Sequence, residues 1–316
     1  MAADAPRPDA RAVPDSRVVR RHFARAAPAY DGAAVLQKEI GGRMAERLDV
    51  VKVAPSMVLD AGCGTGDALA EFAARYPAAR RVAIDIAFPM LDVARAKAIV
   101  RRSALARLLS AVSGRAARGA PAFVCGDIAA LPFAPATFDL AWSNLALQWV
   151  ADLPRAFAEL HRVLAVGGLL TFTTFGPDTL KELRRAFSGI DGHVHVGTFV
   201  DMHDIGDMLV AAGFADPVMH MEMLTLTFAD ARALIRDLKA IGATNAMQAR
   251  PRALMGRHRW ARALDALEAA RRDGRIPATF EVIYGHAWKP AARRTSEGDA
   301  IVRFDPKARH GKTSAP

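Results

Sequence analysis

The chain has 316 residues, 52% of them apolar, and a formal net charge of +10 at pH 7. That length suits one large domain or two small ones with a full core. No run approaches the ~20 apolar residues of a membrane helix, and the two cysteines, Cys63 and Cys125, form neither a disulfide framework nor a Cys/His zinc pattern, so reduced thiols in the cytoplasm are the simpler expectation. A positive surface draws acidic partners, or reflects a generally basic composition with no specific partner; nucleic acid is the poorer fit, because no nucleic-acid module is apparent. Residues 1–17 are rich in Ala, Pro, Asp and Arg and lack an apolar run, so they read as a disordered extension rather than a secretory signal. Over 17–50, Phe23, Ala26, Ala27, Tyr30, Ala34, Ile40, Met44 and Leu48 recur at helical spacing, with a break near Pro28. A strand over 57–60, a helix over 67–76, a strand over 81–85 and a helix over 89–99 follow. Residues 101–120 interleave arginines with leucines. This basic insertion suits an acidic protein partner, a lipid surface, or no partner at all. Strands over 123–127 and 138–142, a helix over 153–164, a Gly167-Gly168 turn and a strand over 169–174 complete the alternation expected of a parallel, doubly wound α/β sheet. Beyond Pro177 the pattern predicts helices over 178–187 (Asp178 as cap), 201–212, 229–242 and 260–272, and strands over 218–228 and 278–288. One domain over 18–288 and a disordered basic tail from Lys289 are expected.

The most informative stretch is Val58-Leu-Asp-Ala-Gly-Cys-Gly-Thr-Gly66. A buried strand ends in an acid, and three alternate glycines permit a tight turn and close approach of a ligand to the backbone. The dinucleotide fingerprint spaces its glycines two and three, whereas here the spacing is two and two. Asp60 then sits at a strand's carboxyl end, where open α/β sheets bind ligands. Asp85 ends the next strand, where an acid accepts ribose hydroxyls; a helix cap is the alternative. Asp127, in Val124-Cys-Gly-Asp-Ile128, ends the third strand. Its carboxylate suits an adenine amino group and the Ile128 N–H suits the ring, although a turn acid is equally common there. Trp142-Ser-Asn-Leu-Ala-Leu-Gln-Trp149 suggests a pocket with an apolar wall, with Asn144 facing the reacting group or capping a helix. The Asp-x-Gly-x-Gly-x-Gly form resembles motif I of the class I S-adenosylmethionine (SAM) methyltransferases. That resemblance implies their seven-stranded Rossmann-like sheet and a cofactor site at Asp60, Gly62, Gly64, Gly66, Asp85, Met90, Asp127, Ile128 and Asn144.

A closer resemblance rests on Leu147-Gln-Trp-Val-Ala-Asp-Leu-Pro-Arg155, Phe172-Thr-Thr-Phe-Gly-Pro-Asp-Thr-Leu-Lys-Glu-Leu183, Leu238-Lys-Ala-Ile-Gly-Ala-Thr-Asn245 and Phe23-Ala-Arg-Ala-Ala-Pro-Ala-Tyr-Asp31 with Gln37. These look like the malonyl-[acyl-carrier-protein] O-methyltransferases of biotin synthesis, over about residues 20 to 288. The resemblance implies methyl transfer from SAM to the free carboxylate of malonyl-acyl carrier protein, a final antiparallel strand, and Tyr30 in the active site. Without it, Tyr30 is more readily a helix-packing residue whose hydroxyl reaches solvent. Gln37 lies two turns beyond Tyr30, on the same face if the helix is unbroken. His195, in Gly192-His-Val-His-Val-Gly-Thr-Phe199, is a candidate substrate contact or a loop histidine, and no metal site is expected from it. The other readings are transfer to another small acid or a quinone-like carbon, and a SAM-binding assembly factor.

Overall fold

The computed structural model describes residues 13–101, 119–191, 193–250, 253 and 255–291. The expected basic insertion and the tail fall largely outside these residues. Seven strands are formed: β1 (Met57–Ala61), β2 (Arg80–Asp85), β3 (Ala122–Cys125), β4 (Phe138–Asn144), β5 (Leu164–Phe175), β6 (Ala215–Phe228) and β7 (Ile276–Trp288). They make one sheet in the order β3-β2-β1-β4-β5-β7-β6. Strands β1 to β5 run parallel, and β7 lies antiparallel between β5 and β6. The expected doubly wound sheet with a reversed last strand is therefore present. The order turns back between β1 and β4, which opens a crevice beyond their carboxyl ends.

Ten helices are described: α1 (Ser16–Ala26), α2 (Tyr30–Ala33), α3 (Val35–Arg47), α4 (Ala68–Arg75), α5 (Phe88–Arg101), α6 (Leu153–Val163), α7 (Lys181–Phe187), α8 (Met202–Ala211), α9 (Ala231–Ala240) and α10 (Arg257–Glu268). Alternation along the strands sends Val58, Leu140, Trp142 and Val282 to one face, against α3, α4, α7, α9 and α10. Leu59, Ala141, Leu170 and Ile283 go to the other, under α6 and α8. Phe157 of α6 is fully buried, with its ring 5.6 Å from that of Phe172. Truncating such a side chain to Ala costs about 3–5 kcal/mol.

Several local expectations need correction. Asp178 does not cap a helix: α7 begins at Lys181, and its N-cap is Leu180, in the left-handed region at φ 54°. The reason is distant in sequence. The Glu281 carboxylate of β7 accepts from the Asp178 N–H at 2.7 Å, and Leu180 N donates to Thr279 O at 2.6 Å, so the segment is held as a turn against β7. Gly167 and Gly168 do not separate helix from strand, since β5 already starts at Leu164 and contains them. Helix α10 starts three residues earlier than the expected 260 and ends at Glu268.

The amino-terminal helices form an arm over the crevice. Asp15 caps α1 by accepting from Arg17 N at 3.1 Å. Pro28 follows α1, and a second break at Ala34 separates α2 from α3. A segment far along the chain holds the arm down. Asp15 N donates to Ala246 O at 2.8 Å, Gln248 N to Val13 O at 3.0 Å, and Thr244 Oγ1 lies 2.5 Å from His22 Nδ1. Burial and the neighbouring Arg21, Arg25 and Arg250 lower the His22 pKa, which favours a neutral ring at this seam.

Candidate functional site

Asp60 and Asp85 stand at the carboxyl ends of β1 and β2, and the loop between β1 and α4 closes beside them. Gly62, Gly64 and Gly66 all have positive φ, at 80°, 52° and 75°. A Cβ on Gly62 would collide with the Ala146 side chain, so the alternate glycines answer both to backbone conformation and to close approach. The Asp85 carboxylate accepts from Gly64 N at 2.9 Å and Ala87 N at 2.8 Å. It therefore organises the glycine loop while lining the crevice. Burial raises its pKa against the pull of those two N–H groups. Asp60 is buried more completely, and burial, helped by Asp85 and Asp67, pushes its pKa up to about 8.

Three cavities meet in the crevice. The first is lined by Phe23, Asp85, Asp127, Ile128 and Asn144, among others. Asp127 is also the turn acid its position allowed, since Oδ1 accepts from Ala129 N at 2.9 Å. The second cavity lies between the arm, α7 and the 241–247 segment, with Gln37, Phe175, Leu183, His195, Ile241 and Asn245 in its wall. The third holds Gln37, Asp60, Gly64, Thr65, Asp67 and Trp142. Tyr30 lines all three. Among the described residues its hydroxyl has no hydrogen-bond partner, and burial together with Asp85, Asp67 and Asp31 raises its pKa, so it remains a neutral phenol.

The expected residues divide. Gln37 joins Tyr30 at the second and third cavities, although the break at Ala34 means that an unbroken helical face does not bring them together. Asn144 lines the first and third, but its amide also ties elements: Nδ2 donates to Gln37 O at 2.9 Å and Oδ1 accepts from Thr173 Oγ1 at 2.7 Å. His195 lines the second cavity with Nε2 2.8 Å from Asp191 Oδ1 and its ring stacked 4.6 Å from that of Phe187. No cluster that could hold a metal is found among the described residues. Met90, expected at the cofactor, is instead 1% exposed and packs under Ala26 and Ala27 of the arm.

The sequence reading missed other parts. Leu145 and Leu180, both in the wall of the second cavity, are left-handed at φ 50° and 54°. Such strain in a leucine persists only where tertiary contacts fix it, and nothing in the sequence signals it. Phe23 stands 5.3 Å from Trp149, edge to face, and both line the first two cavities. The helical period placed Phe23 on the inner face but could not show which cavity it walls.

The third cavity can be tested against the amino-acid end of SAM. Three buried atoms in its wall have no hydrogen-bond partner: Asp60 Oδ2, Gln37 Oε1 and Trp142 Nε1. Two acceptors and one donor suit an ammonium and a carboxylate on one ligand. Asp85 and Asp127 in the first cavity supply acceptors for ribose hydroxyls and an adenine amino group. The residues present therefore fit the cofactor.

A family model described as a methyltransferase domain matches residues 59–172. The chain is 52% identical over 289 residues to a malonyl-[acyl-carrier protein] O-methyltransferase of Gallionella capsiferriformans, covering 92% of this chain and 96% of that relative. It is 52% identical over 297 residues to the protein of the same name from Laribacter hongkongensis, covering 93% and 97%. Among solved structures, the YcgJ protein of Bacillus subtilis aligns with a TM-score of 0.53 at 18% identity, covering 80% of this chain and 99% of that one; at that identity the likeness speaks to fold alone.

Proposed function

The chain belongs to the malonyl-[acyl-carrier protein] O-methyltransferase family, and we infer that it methylates the free carboxylate of a malonyl group carried on acyl carrier protein. The observation that carries this reading is the meeting of three cavities at Tyr30: the first and third fitted to a nucleoside and an amino acid, the second open for an acyl group. The product, a methyl ester, hides the acyl group's charge and suits it to prime the chain that biotin synthesis needs.

SAM bound across the first and third cavities supplies a methyl group already activated on a sulfonium. In this reading Asp85 accepts from the ribose hydroxyls, and Asp127 and the Ile128 N–H read the adenine. Asp60, Gln37 and Trp142 hold the amino-acid end. Gly62, Gly64 and Gly66 let the backbone lie against the ligand.

The malonyl carboxylate needs no general base, since carboxylic acids titrate near ~4 and it arrives ionised. The protein's task is to align oxygen with methyl and to keep water out. No lysine or arginine lines the second cavity among the described residues, whereas Tyr30, Gln37, Thr244 and Asn245 do. Neutral donors orient a carboxylate without quenching it as strongly as an ion pair would. Tyr30 lines all three spaces and keeps its proton, so it is assigned the orienting hydrogen bond to the carboxylate. The Ile241–Asn245 stretch, which marked the family in the sequence, forms the wall facing it. The thiols Cys63 and Cys125 are free, and no helix among the described residues is long and apolar enough to cross a membrane. A cytoplasmic location is the reading that fits this chemistry.

The test is direct. The purified chain is incubated with SAM and malonyl-acyl carrier protein, and the carrier-bound acyl group is identified by mass spectrometry, with malonyl-coenzyme A alongside. Methyl ester on the carrier is the expected product. Cofactor binding without ester on either thioester overturns the assignment and favours a non-catalytic or differently directed protein.

A further inference from the structure

Helix α5 touches both the arm and the glycine loop, and one face of it does so three times. Residues 90, 94 and 97 follow the i, i+4, i+7 spacing of a single helical face. Met90 supports Ala26 and Ala27 at the end of α1. Ala94 lies against the loop, where a Cβ on Gly66 would come within 2.9 Å of the Ala94 Cβ. Lys97 is the polar member. Its Nζ lies 2.9 Å from Asp31 Oδ2, 2.5 Å from Asp67 Oδ1 and 3.3 Å from Thr65 Oγ1. Thr65 Oγ1 in turn donates to Asp31 Oδ1 at 2.5 Å.

An ammonium has three donors, and here it meets three acceptors from two segments. Asp31 belongs to the arm, next to Tyr30; Thr65 and Asp67 belong to the loop that lines the third cavity. Thr65 is 2% exposed, whereas the Lys97 side chain is 22% exposed and those of Asp31 and Asp67 are 38% exposed, so the junction is a partly solvated ion-pair cluster built on a buried hydroxyl. Although burial opposes it, the hydrogen bonds from Thr65 and Lys97 hold the Asp31 carboxyl below its ordinary range. The carboxylates of Asp31 and Asp67 both lie within hydrogen-bond reach of one nitrogen. Without that cation, two like charges would face each other across the join between arm and loop.

We propose that Lys97 is a positioning residue that latches the arm to the glycine loop and so fixes the Tyr30 hydroxyl relative to the bound methyl donor. This rests on the reading of Tyr30 as the group that faces the reacting carboxylate. Lys97 lines none of the three cavities, so it acts through Asp31 and Thr65 rather than on a ligand.

The test uses the full chain and its Lys97→Met, Lys97→Arg and Lys97→Met/Asp31→Asn variants. Backbone hydrogen exchange over residues 30–34 is read with and without S-adenosylhomocysteine, and kcat and KM are measured for methyl transfer. In Lys97→Met, exchange over 30–34 should rise about tenfold and kcat should fall by a similar factor, with KM for the cofactor within about threefold. Lys97→Arg, which keeps the charge, should retain most of both. Adding Asp31→Asn to Lys97→Met removes one of the two facing charges, and with it their repulsion, and should restore part of the protection. Should Lys97→Met lose the native melt, Lys97→Gln, which removes the charge but keeps a polar head, carries the same readouts. Unchanged exchange over 30–34 in Lys97→Met overturns the latch, as does a kcat loss with the arm still protected. If the unaltered chain makes no malonyl ester, the functional reading fails while the exchange results still decide the latch.

Discussion

Asp60 offers a quantitative check on the cofactor site. Its carboxyl is 3% exposed, one oxygen has no partner, and burial with the help of Asp85 and Asp67 lifts its pKa to about 8. At pH 7 such a group is about nine-tenths protonated. An ammonium placed at Oδ2 favours the carboxylate. Ionising Asp60 at pH 7 costs about 1.4 kcal/mol, and a hydrogen bond to a charged group returns about 1.5–3 kcal/mol. The pairing therefore wins, and binding should release about 0.5 to 0.85 of a proton per site at pH 7 and close to half at pH 8. Titration calorimetry with S-adenosylhomocysteine in phosphate and in Tris at the same pH reads that number from the difference in heats. Asp60→Asn should abolish the release and weaken binding. Binding that releases no proton at pH 7, or an unchanged release in Asp60→Asn, refutes the placement of the ammonium at Asp60. The unliganded protein gives the matching sign. The folded pKa lies above the unfolded value of 3.8, so the stability contributed by Asp60 is full below 3.8 and is lost as pH rises through about 8.

Two further outcomes follow from the geometry. Tyr30→Phe keeps the ring that packs 6.5 Å from that of Phe23 but removes the hydroxyl; methyl transfer should slow by about tenfold to a hundredfold, with cofactor affinity by calorimetry nearly unchanged, and full turnover would remove Tyr30 from the orienting role. Gly62→Ala forces a Cβ into Ala146 at a positive φ and should cost about 2 kcal/mol or more in urea denaturation, whereas Gly32→Ala, with open space around it, should be near neutral.

The sheet was legible because four of its five parallel strands are short apolar runs ending at an acid or amide: Asp60, Asp85, Asp127 just beyond β3, and Asn144. Glycine spacing located the loop, and proline located the break after α1. What stayed hidden was set by partners distant in the chain. Asp178 looks like a cap until Glu281, a century of residues later, claims its N–H. Met90 looks like a cofactor contact until α1 covers it. Lys97 reads as one charge on a solvated helix, because neither Asp31 nor Thr65 is near it in sequence. The substrate side was legible only through resemblance. Its wall joins the arm to the 241–247 segment, and no local spacing predicts that union.

The placement of β7 has a consequence for how the molecule is made. Among the described residues strand β6 pairs only with β7, and β7 alone joins it to β5. A chain still emerging from the ribosome thus carries two bare sheet edges until residues 276–288 appear. Exposed edges invite pairing with other chains, so truncation before Ile276 should yield aggregates rather than a smaller enzyme. Synthesis closes the molecule like a keystone: the inner strand arrives after the strand outside it.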